Sequence, residues 1–188
     1  MRDQERLVLK LVAGLLDYPG HPAFWMRLRE HASLAEEADA RLGAVSKALQ
    51  RVVPIELEKL YVAAFDFDPK GSLYVTAHEL GDSRDRGQAL IELTELCQKA
   101  GYDVPDDQLA DYLPLLLELM AVYPDSVASL AERVSSMAGR IAEHLGPDHL
   151  YRPLFDLIQE TLGRPNAADV PSVEEHPDLV DLPYPIEY

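Results

Sequence analysis

Apolar residues recur along most of this chain at spacings of three and four, the period of a helix with one face buried. Leu7, Val8, Leu11 and Leu15 line one face of a first predicted helix, Asp3 to Asp17, while Asp3, Arg6, Lys10 and Asp17 recur on another. Tyr18-Pro19-Gly20 ends it, and Pro22 suits the first turn of a second helix carrying Phe24, Trp25 and Leu28 inward. Leu34 to Val52 reads as one surface helix with a narrow stripe of Leu42, Val45, Leu49 and Val52. Behind Pro54, a denser face is formed by Leu57, Leu60, Tyr61, Ala64 and Phe65.

Asp66 to Gly71 is a turn-rich loop. Leu73 to Ala77 leans toward a strand by propensity, but no second strand is evident to pair with it, so a short helix is the expectation. Ser83 is placed to cap a helix running to Ala100, with Leu90, Leu93, Leu96 and Cys97 inward and Gly101 as its stop. Gly87, in that helix's first turns, implies that another backbone approaches closely there. After the turn at Val104 to Asp107, Leu115 to Met120 is apolar nearly all round and predicts a central helix. Pro114 sits in its first turn and Asp111 near its cap. Asp125 opens the longest amphipathic pattern, through Val127, Leu130, Val134, Met137, Ile141 and Leu145, and a last helix carries Tyr151, Leu154, Phe155, Ile158 and Leu162 to Gly163. The expected fold is all-α, a single-domain bundle of about seven or eight helices over residues 1–164. Residues 165–188, with five prolines and no basic side chain, are expected to form an acidic tail outside the core.

Composition narrows the function. The 188 residues are 47% hydrophobic, enough for a sizeable core, and the formal net charge is -16. Six acids lie beyond Arg164, so the part before the tail holds 27 acidic against 17 basic side chains, about -10. Such a field repels nucleic acid and anionic lipid and attracts basic partners. The single Cys97 excludes an internal disulfide, and neither a cleavable leader nor a spanning segment is evident, so a cytoplasmic protein without membrane insertion is expected.

Charges cluster at one break in the chain. His78, Glu79, Asp82, Arg84, Asp85 and Arg86 crowd around Gly81 and Gly87 instead of recurring at a helical period. His78-Glu79-x-x-Asp82 resembles a zinc-protease helix, but the second imidazole is replaced by Asp82 and no third ligand follows in sequence, so no metal is expected. Cys97 lies on an apolar stripe, no serine stands in a glycine-flanked elbow, and no glycine frame cradles phosphate. Three readings remain: a groove for a partner's peptide, a metal-dependent hydrolase using His78, Glu79 and Asp82, and a generic helical scaffold.

Longer strings favour the first. Ser72-Leu73-Tyr74, then Gly81-Asp82-Ser83-Arg84-Asp85-Arg86-Gly87-Gln88-Ala89, then Leu109-Ala110-Asp111-Tyr112-Leu113-Pro114 and Leu117-Glu118 resemble the NarJ-type assembly chaperones of respiratory nitrate reductase, relatives of the TorD and DmsD chaperones. Leu15-Leu16-Asp17-Tyr18-Pro19 and Tyr61-Val62-x-x-Phe65-Asp66 are similar too. The resemblance runs from about Leu7 to Leu162, with departures at Leu80, where members often carry a histidine or another polar group, and at Tyr112, where they often carry a histidine.

This resemblance implies a helical chaperone with no catalysis and no cofactor of its own. Its partner would be the N-terminal segment of the catalytic (alpha) subunit, held for molybdenum-cofactor and iron-sulfur insertion, with proteins that deliver the molybdenum cofactor as further partners. The expected peptide site comprises Tyr61, Tyr74, His78, Glu79, Asp82, Arg84, Asp85, Arg86, Asp111, Tyr112 and Pro114. Asp82, Asp85 and Asp111 would meet the peptide's basic groups, Arg84 and Arg86 would shape the groove, and Tyr61, Tyr74 and Tyr112 would flank its apolar side.

Overall fold

The computed structural model describes residues 1–105, 108–125 and 127–163. The tail expectation for 165–188 and the turn residues Asp106 and Asp107 lie outside them. Ten α-helices are present among the described residues, two or three more than the periodicity predicts. They are α1 (Asp3–Leu16), α2 (Pro22–Glu30), α3 (Ala32–Ala38), α4 (Ala40–Arg51) and α5 (Pro54–Phe65), followed by α6 (Val75–Leu80), α7 (Asp85–Lys99), α8 (Leu113–Val122), α9 (Ala131–Leu145) and α10 (Arg152–Leu162). Short 3-10 turns at Pro69–Gly71 and Ala128–Leu130 precede α6 and α9.

α8 is the centre. Every residue from Leu113 to Ala121 except Glu118 is buried, because the helix has neighbours on all sides. Burying each such leucine contributes about 1.5–3 kcal/mol. α1 packs most extensively on α8, α9 on α10, and α3 on α4. Phe65, Tyr151 and Phe155 join the interior as an aromatic cluster, with Phe65 edge-on to Tyr151 at 5.1 Å and tilted against Phe155 at 6.0 Å between ring centres.

Four sequence expectations need correction. The helix expected over Leu34 to Val52 is two helices, because Asp39 adopts extended backbone (φ -158°, ψ 134°) and its side chain accepts from the Arg41 amide, capping α4. The helix expected from Asp125 begins at Ala131, after the 3-10 turn. The strand-like stretch has a partner after all. Tyr74 forms an antiparallel bridge with Tyr112, the Val75 amide donates to the Asp111 carbonyl (3.0 Å) and the Leu113 amide to the Leu73 carbonyl (2.8 Å). Propensity at Leu73-Tyr74 was therefore informative, and the helix starts only at Val75. Finally, no close approach occurs at Gly87, where an added Cβ would meet nothing within 4 Å. The tightest approach at a glycine among the described residues is at Gly71, whose Cβ would sit 2.0 Å from the Ala64 carbonyl oxygen.

Candidate functional site

The short bridge between Leu73–Val75 and Asp111–Leu113 joins the two polar strings and fixes one wall of a groove of about 300 Å³. Tyr61, Tyr74 and Tyr112 line it, together with Tyr18, Asp17 and Asp66. Tyr61 is the floor: buried, its hydroxyl lies 2.9 Å from the Leu16 carbonyl, to which it donates, and 3.0 Å from the Tyr112 hydroxyl. Tyr74 and Tyr112 lie side by side, ring centres 5.5 Å apart, and Tyr18 meets Tyr61 edge-on at 5.4 Å. Burial pushes the Tyr61, Tyr74 and Tyr112 hydroxyls above the ordinary phenol range, so all three stay neutral near pH 7. The carboxyl of Asp66 is also raised by desolvation, whereas Asp17 is ion-paired with Arg27 and accepts from the Tyr18 amide (2.9 Å).

Asp111 lies behind this wall, not in it. It is fully buried, and one carboxylate oxygen accepts from the Thr76 hydroxyl and, at 3.3 Å, from the Thr76 amide. Arg86 closes the network: its Nε donates to the Thr76 hydroxyl at 3.0 Å, and its terminal nitrogen lies 3.7 Å from the same carboxylate oxygen. The expected direct contact between Asp111 and a peptide is replaced by a structural one, since a side chain with no exposed surface cannot touch a ligand on the surface. Pro114 is likewise buried, in the first turn of α8.

The other candidates go elsewhere. His78 is buried and its Nε2 lies 2.7 Å from the Ser72 carbonyl, which can only accept, so that nitrogen carries the proton. Burial pulls His78 below its ordinary range, and the nearby Arg140 and His144 add to this. Glu79 makes a two-bond pair with Arg133 at 2.7 and 2.6 Å, tying α6 to α9. Asp82 and Arg84, on the turn between α6 and α7, and Asp85, the first residue of α7, are exposed and do not line the groove. Gly81 makes that turn possible with φ +54°. Among the described residues, no group of three or more His, Cys, Asp and Glu is arranged to hold a metal. Nor is any described helix long and apolar enough to cross a membrane.

Sequence reasoning missed Asp17, Tyr18, His21, Asp66, Gln108 and Leu109 as groove residues. Asp17, Tyr18, Asp66 and Leu109 did stand in the strings that carry the family resemblance, which was the available signal.

The family model described as the nitrate reductase delta subunit matches residues 31–151 of this chain. The chain belongs to this family. NarJ of Escherichia coli K12, a nitrate reductase molybdenum cofactor assembly chaperone, is 30% identical over 162 residues, which cover 80% of this chain and 67% of that protein. NarW of the same strain, grouped with the same chaperones, is 27% identical over 167 residues, 86% of this chain and 71% of NarW. A solved structure assigned to redox enzyme maturation, from Archaeoglobus fulgidus, superposes with a TM-score of 0.65 at 20% identity, covering 84% of this chain and 93% of the other. That likeness bears on the fold, which is the all-α fold expected. Delta-subunit relatives of this type are assembly chaperones, not enzymes, and the hydrolase reading of His78, Glu79 and Asp82 falls with that.

Proposed function

We propose that this member of the delta subunit family is an assembly chaperone for a respiratory nitrate reductase. It binds the N-terminal segment of the apo catalytic subunit and holds that subunit for molybdenum-cofactor and iron-sulfur insertion before membrane attachment. It works in the cytoplasm alongside proteins that deliver the cofactor. The names of NarJ and NarW supply the enzyme served. The observation that carries peptide binding is the groove itself, in which neutral phenols lie within reach of the carboxylates of Asp17 and Asp66. An amphipathic segment with basic and apolar side chains would satisfy both halves.

In this reading Tyr74 and Tyr112 take the apolar side, and Asp66, with its neighbour Asp17, takes the basic side. Leu109, exposed within the lining, and exposed Phe67, next in sequence to Asp66, offer further apolar contacts. Asp82 and Asp85 lie outside the groove and act through the field, speeding encounter and giving it salt dependence. Asp111, with Arg86, Thr76 and His78, holds the wall in place.

The test is calorimetric titration of the full chain with a synthetic peptide of the catalytic subunit's N-terminus. Saturable binding is expected, weakened about tenfold or more by Tyr74→Ala and by Asp66→Asn, and weakened again as salt rises. Absence of binding at low salt would leave only the helical scaffold reading. Binding indifferent to both substitutions would move the site elsewhere on the chaperone.

A further inference from the structure

Arg27 of α2 does not line the tyrosine groove, yet it holds one of the two carboxylates that do. Its terminal nitrogen donates to Oδ2 of Asp17, while Oδ1 of Asp17 accepts from the Tyr18 amide at 2.9 Å. The two carboxylates of the groove therefore differ. Asp17 has both oxygens engaged, whereas Asp66 makes no side-chain hydrogen bond or ion pair among the described residues and is raised by desolvation. Burial first, and among smaller causes the Asp17 charge, raise the hydroxyls of Tyr61 and Tyr112, so the Asp17 carboxylate stands close to the groove floor even while paired.

We propose that Arg27 sets the charge specificity of the groove: it occupies Asp17, so the first basic side chain of a bound segment is met by Asp66, and a second gains a carboxylate only by displacing Arg27. The inference rests on the peptide-groove reading above. The pair is built to give way. It is made through one guanidinium nitrogen, Arg27 Nε is buried with no hydrogen-bond partner among the described residues, and the side chains of Arg27 and Asp17 stay 37% and 24% exposed. Arg133 and Glu79, by contrast, are joined by two bonds. A pair made through one nitrogen and reached by solvent exchanges partners more readily than a two-bond fork. Asp66 is desolvated without a partner, and a cation placed beside it offsets that cost. Among the described lining residues the only basic side chain is His21, edge-on to Tyr18 at 5.8 Å, so no lysine or arginine of the lining competes for Asp66.

The experiment takes the full chain and two versions of the catalytic subunit's N-terminal peptide, one keeping a single basic side chain with the others replaced by glutamine, the other keeping two. The unaltered chain should bind the two within about threefold of each other, and Arg27→Met should bind the two-base peptide about tenfold more tightly than the one-base peptide. Methionine keeps an apolar stem where Arg27 lines a small recess with Leu11, Leu15 and Leu28. The preference should vanish when Arg27→Met is combined with Asp17→Asn. It should be absent in Arg29→Met, which removes the same charge from an exposed position of the same helix. An equal preference in Arg29→Met would make the effect one of net charge, and an unaltered chain that already prefers two bases tenfold would show that Arg27 excludes nothing. Either result overturns the proposal. Because Arg27→Met also unties α2 from the end of α1, a second measurement leaves the chain intact. With labelled arginine, the two-base peptide should shift the Arg27 guanidinium signal and the one-base peptide should not. An Arg27 signal unmoved at saturation with the two-base peptide overturns the proposal as well. Failure of the groove reads differently: neither peptide binds the unaltered chain or any variant, and this inference falls with it, whereas failure of the inference alone leaves binding intact and its charge preference unchanged.

Discussion

Two strings stand out in this sequence, the charged one around Gly81 and the one around Asp111, and the fold treats their carboxylates in opposite ways. Around Asp111 the string turns inward: the carboxylate is fully buried, held by Thr76 and Arg86, and the backbone beside it bridges to Leu73–Val75. At Asp82 to Asp85 the string turns outward and its side chains lie exposed. Arg86, alone among the charged side chains of that second string, reaches back to the first. A carboxylate in such a string can therefore be a buried latch or part of a solvated turn, and composition does not distinguish them. Surroundings do: the buried Asp111 carboxylate takes donors from Thr76 and the Arg86 charge on Oδ2 while its Oδ1 has no partner among the described residues, whereas an exposed carboxylate has water.

The sharpest way to break this contrast is to remove the carboxylate from the latch. Asp111→Ala strands the Arg86 guanidinium and the Thr76 hydroxyl, and should cost about 3 kcal/mol or more of unfolding free energy in urea. Asp82→Ala and Asp85→Ala should leave the urea midpoint where it is. Equal effects from the two strings would dissolve the distinction. Gly71→Ala comes next, on the approach to the latch. Its methyl group would collide with the Ala64 carbonyl, a backbone atom that cannot swing away, for a loss of roughly 2 kcal/mol.

Acid probes the same wall through His78. Its folded-state value lies below the ordinary 6.5, so the fold favours the neutral ring while the unfolded chain takes up a proton first. The stability involved is present above pH 6.5 and is lost as pH falls below it. His149, also lowered by burial and by His144, acts in the same direction. His78→Gln should flatten the fall in thermal midpoint between pH 7 and 5.5, leaving a residual slope from His149. An unchanged slope would remove His78 from the account. Smaller again is Tyr112→Phe, which deletes one hydroxyl contact while Tyr61 keeps its bond to the Leu16 carbonyl, and should cost about 1 kcal/mol.

These regions also mark what could be read from the sequence. Helical periodicity located the elements well because each helix buries a stripe and the stripe is written in the residues: Leu57, Tyr61, Ala64 and Phe65 on α5 are all buried as spaced. Breaks were harder. Asp39 interrupts an unbroken apolar period, and only its capping bond to the Arg41 amide reveals the end of one helix and the start of another. The groove was half legible. Tyr61, Tyr74 and Tyr112 line it, but its carboxylates come from Asp17 and Asp66, at the ends of α1 and α5, where helical spacing no longer says which way a side chain points. The juxtaposition of residues near 17, 66, 74 and 112 is a property of how helices pack, and no local pattern carries it.

Gly87 offers the mildest test and the one that separates the two strings most cleanly. A glycine inside α7 gives up backbone entropy on folding, and the sequence suggested that a neighbouring backbone required it. No such neighbour exists among the described residues, since a Cβ there would meet nothing within 4 Å, and its φ is not positive. Gly87→Ala should therefore stabilise the protein by roughly 0.5–1 kcal/mol, opposite in sign to Gly71→Ala, because alanine restricts the unfolded chain and suits the helix. Should the substitution destabilise the isolated chain instead, something must press on the start of α7 and the outward string would not be a free surface. Should it stabilise the chain yet weaken peptide binding, the glycine belongs to the partner's approach, and the exposed turn would join the groove as part of one recognition face.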